Sequence, residues 1–497
     1  MRRRTLLASC VAGLLGSSFA LFLLTRAPAY RLVRTPVLDR WPQLGRLWDL
    51  LTPASLLAIG WDTDAAAALE YVYLLLVLVT FLLWLAALWL LSPGKHVPKL
   101  RWILIPALII GQPLLLLPAL FSGDLYLYIF YGRIISAYGE NPFLMAPNQF
   151  ASDPFYSLVI WHWLPSAYGP VWLLVSGALS AIAGDSLLAN VLVLKSALLG
   201  VHVLTVVLIW RLLRVTRPEL APWGAVFYGW NPLVLIETAG NGHNEALLCL
   251  FIVLCMLSVV RRRWAIATVF LVTAAMVKPI ALLLFPALML AWARSLTGAQ
   301  SRARALGTAL VTAVITGLIL YAPLWAGLGL LSNILANPAV QTYENSLWKL
   351  LASEVVTSGD KVSMGAFRSD LDIVRNCLLA ASLLWLLWRL WRGACLLDTW
   401  IWSWAAFCLC AAWIWPWYFL PAIAIGAVRG PSRVSAVAAG LALGGMLFWL
   451  GWPEPTLPSA PYFHDYRSVL LFSPALLTAA WAVLPRRCNG VRAARRR

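Results

Sequence analysis

The chain has 497 residues, 62% of them hydrophobic and only 12% charged, with a net charge of +18. An ordinary soluble domain carries about twice that charged fraction, so a water-soluble fold would need a core made of almost the whole chain. The positive charge invites nucleic acid, but the basic residues sit in short clusters between apolar runs, which leaves no role for nucleic acid.

The apolar runs approach the roughly 17–25 residues of a full membrane crossing. Lipid forces such runs to be helices, because nothing in it satisfies open backbone groups. Helix one is expected at residues 6–25 as an uncleaved anchor leading outward, with cleavage near Ala27-Pro28-Ala29 as the alternative. Residues 26–64 stay outside, with Trp41, Trp48 and Trp61 suited to the interface. Helix two (67–91) returns to a cytosolic turn at Pro93-Gly94-Lys95, and helix three (102–121) delivers the chain to Ser122-Gly123-Asp124.

Residues 122–185 form the first large exterior loop. Its apolar piece at 171–183 is too short to span comfortably, and a crossing there would carry Arg211, Arg214 and Arg217 outside; it is expected at the outer interface. Further helices are expected near 187–210, 221–236, 246–260, 264–277, 279–293, 305–325, 376–390, 399–413, 418–428, 434–449 and 468–484. The count is roughly fourteen crossings, with both termini inside. Exterior loops then fall at 241–245, around Lys278-Pro279, at 326–375, at 415–417 and at 451–467. No internal repeat or separate soluble domain stands out, so 1–497 reads as a single all-α, polytopic membrane domain.

On this threading eight basic clusters, from Arg2–Arg4 to the tail beginning at Arg486, hold about two thirds of the 38 basic residues and share one side. Only Glu219 and Asp398 among the acids join them. That segregation is the positive-inside rule, so this face is cytosolic and the membrane is the cell's inner (plasma) membrane. The eight cysteines show no paired metal spacing, and Cys255, Cys377, Cys408 and Cys410 read as small core residues.

Chemistry-bearing residues gather at the opposite side. Asp124 begins a segment in which Tyr128 and Tyr131 share its helical face, with Tyr126 between and Arg133 off that face. A carboxylate beside phenols at a membrane surface can act as general base toward a sugar hydroxyl; the competing reading is an aromatic belt with a capping aspartate. Gly139-Glu140-Asn141-Pro142 is a turn, and Tyr168-Gly169-Pro170 opens the interfacial piece. Asn231-Pro232-Leu233 breaks a helix below Glu237. Asn241-Gly242-His243-Asn244-Glu245 reads either as a hydroxyl-binding turn or as a solvated cap, and it lacks the partners of a metal site. Lys278 lies within an apolar stretch and wants an anionic partner, a lipid phosphate or a carboxylate; the alternative is a snorkelling lysine at a hairpin tip. Trp413, Trp415, Trp417 and Tyr418 form either an interface girdle or a sugar-stacking platform.

Taken together, Gly123-Asp124-Leu125-Tyr126 with Gly132, Gly139 and Asn141-Pro142 resembles the first-loop signature of integral-membrane mannosyltransferases that use polyprenyl-phosphate mannose. The actinobacterial α-1,6-mannosyltransferases and their bacterial relatives, of the GT-C fold, are the most similar. Tyr168-Gly169-Pro170, Asn231-Pro232-Leu233, Asn241 to Glu245, Lys278-Pro279 and Pro416-Trp417-Tyr418 follow in matching order, so the resemblance spans Asp124 to Tyr418. It implies a GT-C-like bundle with a large first catalytic exterior loop. It also implies a polyprenyl-phosphate sugar donor within the bilayer and a glycan or glycolipid acceptor on the exterior face. By the resemblance, Asp124 is the general base of an inverting transfer. Lys278 and Arg133 would neutralise the departing phosphate. Tyr126, Tyr128, Asn141, Tyr168, Asn241, His243, Glu245 and Trp417 would contribute to holding the sugars. Family members often carry a second acid two residues after the first; Tyr126 stands there, so no ligand cluster for a divalent cation is visible and no cofactor is assigned. The rival readings are a transporter or flippase of lipid-linked saccharides, which would show inverted repeats and midplane breaks, and another membrane transferase such as a polysaccharide ligase.

Overall fold

A computed structural model describes residues 2–24, 64–92, 98–116, 122–356, 361–450 and 467–484. The expected features at 26–63, the turn at Pro93-Gly94-Lys95, most of the loop at 451–467 and the basic tail from Arg486 lie outside these residues. Among those described, the secondary structure is helical, with a single isolated bridge between Glu344 and Trp413.

The chain opens with α1 (Arg2–Leu24), α2 (Asp64–Leu90) and α3 (Arg101–Leu115). The first-loop region supplies α4 (Asp124–Ser136) and α5 (Pro170–Ala183), and α6 (Leu187–Thr216) follows as a long rod. Ser186 starts α6 by accepting the Ala189 N–H, the usual service of an N-cap serine. The helix expected at 221–236 is instead broken into α7 (Ala221–Gly229), α8 (Pro232–Leu235) and a π-turn at Ile236–Gly240. The cause is local: Pro232 has no N–H to donate, and Asn231 turns out of the helix and caps α8 by accepting from Val234 N–H.

Then come α9 (Glu245–Val260), α10 (Trp264–Ala275), a 3₁₀ turn at Pro279–Leu284 leading into α11 (Phe285–Arg294), and α12 (Ala299–Tyr321). The stretch 326–375, expected as a loop, is largely helical: α13 (Gly329–Ala336), α14 (Pro338–Gln341), α15 (Leu347–Val356) and the start of α16 (Lys361–Trp391). The bundle closes with α17 (Leu396–Cys410), α18 (Leu420–Arg429), α19 (Arg433–Leu447) and α20 (Arg467–Val483).

Among the described residues, five helices are long and apolar enough to cross a membrane: Arg3–Leu24, Tyr71–Leu90, Leu187–Thr216, Ala299–Leu324 and Ser369–Trp391. Leu310, Val311, Val314, Ile315, Leu318 and Ile319 of α12 all point outward and are exposed. So dense an apolar stripe is tolerated by lipid and not by water. The interior is packed with large rings, and buried indoles find acceptors on neighbouring helices. Trp84 donates to the Val226 carbonyl, Trp230 to that of Ile103, and Trp400 to that of Leu284. The centre of the bundle is formed by α6, the broken segment, α9 and α18, and it is this broken segment that carries polar groups inward.

Candidate active site

Asp124 opens α4, where the free N–H groups of a helix start favour a carboxylate. Ser122 Oγ accepts the Asp124 N–H at 3.2 Å, and Tyr168 O–H points to Asp124 Oδ2 at 3.4 Å. Tyr168 is brought there by a backbone crossing: Gly169 N–H donates to the Val277 carbonyl and Val171 N–H to that of Met276. A Cβ on Gly169 would lie 2.0 Å from Met276 O, so only glycine permits this approach. The same crossing places Lys278 beside Tyr168.

Lys278 is salt-bridged to Glu245 at the start of α9, and its Nζ lies over the Tyr418 ring, 4.3 Å from the centroid. That carboxylate is one of the two anionic partners expected for this lysine. Lys278 is a buried cation in the bundle rather than a snorkelling one.

Behind Asp124 the π-turn delivers Glu237 into the core. Its Oε2 accepts from Asn241 Nδ2 at 2.8 Å and faces His243 Nδ1 at 2.8 Å, while Trp449 Nε1 donates to Oε1 at 3.3 Å. His243 Nε2 lies 3.2 Å from Ser122 Oγ and 3.9 Å from Asp124 Oδ2. Gly242, at φ +75°, makes the turn that aims His243 back at Glu237. Asn241, His243, Asn244 and Glu245 are all buried. Of the two readings of 241–245, the solvated cap is therefore corrected: the break in the helix folds these groups inward, where each needs a partner.

Asp124, Ser122, Tyr131, Tyr168, Lys278 and Tyr418 open onto a cavity of about 750 Å³. Its other walls come from Trp161, Ile280, Ile334, Val340, Phe407, Trp413 and Trp415, and Arg375 stands on its lining as a second cation. The segment 329–341 is held in place by Asn333 Nδ2, which donates to the carbonyls of Phe143 and Ser166. Burial pushes the Asp124 carboxyl above the usual carboxylate range, with His243 and Lys278 pulling part of the way back. Burial likewise pushes the His243 imidazole down to about 4, so the ring is neutral near pH 7.

Of the residues singled out in the sequence, Asp124, Tyr131, Tyr168, Lys278, Trp413, Trp415, Trp417 and Tyr418 line the cavity. Tyr128 packs edge-on to Tyr168 and Trp172 behind it, and the buried Tyr126 hydroxyl has no hydrogen-bond partner among the described residues. Arg133 is corrected from a phosphate ligand to a structural ion. Its guanidinium is held by Asp153 and Asp185 and covers the Phe155 ring, about two and a half turns of α4 from Asp124. Asn141 is corrected as well: it spans its own turn to Phe143 N–H and donates to the Leu324 carbonyl. His243, Asn241 and Glu245 stand one layer back and do not reach the cavity. Trp417 is stacked against His243, centroids 3.9 Å apart, and against Trp415 at 5.1 Å. The ring is 5% exposed, which leaves little of it for stacking on a sugar.

Sequence reading passed over Glu237, Ser122 and Arg375. For Glu237 the signal was present: a lone acid in an apolar run, just after an Asn-Pro break, is expensive unless partnered. Among the described residues no group of three or more His, Cys, Asp or Glu side chains converges as metal ligands.

A family model described as "Alpha-(1->6)-mannopyranosyltransferase, N-terminal domain" matches residues 45–294. That range contains Asp124, Tyr168, Glu237, His243, Glu245 and Lys278. Alpha-(1->6)-mannopyranosyltransferase B of Corynebacterium glutamicum is 35% identical over 150 residues, 28% of this chain and 24% of that protein. Alpha-(1->6)-mannopyranosyltransferase A of Mycobacterium tuberculosis is 30% identical over 193 residues, 37% of this chain and 36% of its own length. The chain thus spans about a quarter to a third of the length of the curated relatives it matches.

Proposed function

The chain belongs to the alpha-(1->6)-mannopyranosyltransferase family, and on that premise we propose that it moves mannose from a polyprenyl-phosphate donor to a glycan or glycolipid acceptor. The observation that carries this reading is one cavity lined by a base, Asp124, and by two cations, Lys278 and Arg375. In the transfer, Asp124 takes the proton of the acceptor hydroxyl as that oxygen bonds to the anomeric carbon. The bond from that carbon to the phosphate oxygen breaks in the same displacement, so the centre inverts, and its electron pair stays with the polyprenyl phosphate. Lys278 and Arg375 are the groups available to balance the charge that develops there, in a site dry enough for such pairing to count. Tyr168 O–H keeps the carboxylate of Asp124 aimed into the cavity.

The reaction belongs on the exterior face of a bundle of roughly fourteen crossings, with both termini cytosolic. Arg217 donates to the Val428 carbonyl, Arg429 pairs with Asp398, and Arg294 donates to the Leu390 and Ala394 carbonyls, so several basic clusters share one end of the bundle. Gly242, beside the site, faces Lys195 of α6. From there to Arg217 the helix runs about 30 Å, which supports a site set toward the opposite face. A transporter is the less favoured reading, since family and site chemistry both speak for transfer.

The test is transfer of labelled mannose from polyprenyl-phosphate mannose to lipid acceptors in membranes carrying the wild type or Asp124→Asn. Transfer by the wild type alone is expected. Full activity in Asp124→Asn would remove the base, and no transfer by the wild type would remove the donor assignment.

A further inference from the structure

The transfer as written leaves a proton on Asp124 and gives no account of Glu237 and His243. Both side chains are fully buried, and neither lines the cavity. Keeping a carboxylate and an imidazole together in the core of a membrane bundle is costly unless the arrangement is used. Asn241 and Trp449 donate N–H groups to the two oxygens of Glu237, and His243 Nδ1 faces Oε2 at 2.8 Å. His243 is fixed in addition by the Trp417 ring at 3.9 Å and by its own N–H bond to the Glu237 carbonyl at 2.9 Å. A ring held on three sides can present its remaining nitrogen, Nε2, in one direction only. That direction is toward Ser122 Oγ at 3.2 Å and Asp124 Oδ2 at 3.9 Å.

We infer that Glu237 and His243 are a positioning pair that receives the reaction's proton from Asp124 and so returns the base to its ionised form. The inference rests on the transferase reading above. Glu237 accepts the Nδ1–H of His243 and leaves the lone pair on Nε2. After transfer, the proton moves from the Asp124 carboxyl to Nε2. Asp124 becomes carboxylate and the ring a short-lived imidazolium beside Glu237, which its burial disfavours and which therefore passes the proton on; no other bond changes. The proton leaves by way of the Ser122 hydroxyl, which borders both Nε2 and the cavity. The 3.9 Å gap is of the kind that closes when substrate packs the site.

The experiment uses the full chain in lipid nanodiscs and compares wild type, Glu237→Gln and Glu237→Asp. The Gln variant preserves volume but removes the titratable carboxyl and leaves one acceptor oxygen, so either Asn241 or Trp449 loses its partner. Its kcat is expected to fall at least tenfold with both KM values unchanged, and its solvent deuterium isotope effect on kcat is expected to rise, because proton removal becomes slow. Glu237→Asp should recover part of the loss. Wild-type kcat and isotope effect in Glu237→Gln would overturn the inference, as would a fall in kcat with no change in isotope effect. Should Glu237→Gln fail to fold, His243→Gln is read the same way. A second readout is independent of turnover: nitrogen NMR of labelled histidine should show His243 as the Nδ1–H tautomer in wild type, shifting in Glu237→Gln. An Nε2–H tautomer in the wild type overturns the inference. If the wild type transfers no mannose, the proposed function fails, and this tautomer still decides the role of the pair.

Discussion

Trp417 covers one face of His243 with ring centroids 3.9 Å apart and planes 26° from parallel, and Trp415 is stacked on Trp417 with planes 8° from parallel. A tryptophan enclosed in this way braces its neighbour and has little face left for a ligand. Trp417→Phe is expected to retain acceptor KM within about twofold. Trp417→Ala should cost about 3–5 kcal/mol through the cavity it leaves. Thermal unfolding in detergent, measured beside kcat and KM, checks this; a large rise in acceptor KM in Trp417→Phe would instead return the ring to a sugar-stacking role.

Lys278 and Glu245 form a buried ion pair whose halves come from either end of the α9–α10 hairpin. Removing one partner strands the other charge, and Lys278→Met or Glu245→Gln alone is expected to lose about 3–5 kcal/mol. The double variant Lys278→Met/Glu245→Leu should recover most of that stability while remaining inactive, because the cavity then lacks one of its two cations, the one beside Asp124. Recovery of both stability and transfer would make Lys278 purely structural.

Gly169 crosses Met276 so closely that a methyl group there would be 2.0 Å from a carbonyl oxygen. Backbone cannot yield as a side-chain tip does. Gly169→Ala is expected to separate Tyr168 from Asp124 and to cut kcat severely, with a stability loss of about 1–3 kcal/mol. The check is folded yield after detergent extraction together with specific activity; wild-type values for both would show that the crossing can relax.

The pH dependence follows from Asp124. A general base must be deprotonated, and burial raises this carboxyl above its ordinary range. Activity is therefore full above the raised value and lost as pH falls through it, at a less acidic pH than an unperturbed aspartate near 3.9 would give. Removing a cation raises the group further, so any residual activity of Lys278→Met should be lost at higher pH than in the wild type. Log kcat/KM against pH for both proteins reads this directly.

The sequence by itself determined the material of this protein: apolar runs that lipid compels to be helices, their breaks at Asn231-Pro232 and Lys278-Pro279, and the polar motifs punctuating them. Asp124, Tyr168 and Lys278 were legible because an ionisable or phenolic group at the edge of an apolar run stands out locally. What the polar groups bind was decided only by tertiary packing. Glu237 meets Trp449 across 212 residues and His243 meets Ser122 across 121, separations over which periodicity and propensity carry no information. The turn at 241–245 read as solvated because its composition is that of a surface loop; only the packing of α3 and α6 around the broken helix puts it inside. Arg133 likewise looked available until the fold set Asp153 and Asp185 against it, since a guanidinium goes to whichever carboxylates the chain brings within reach.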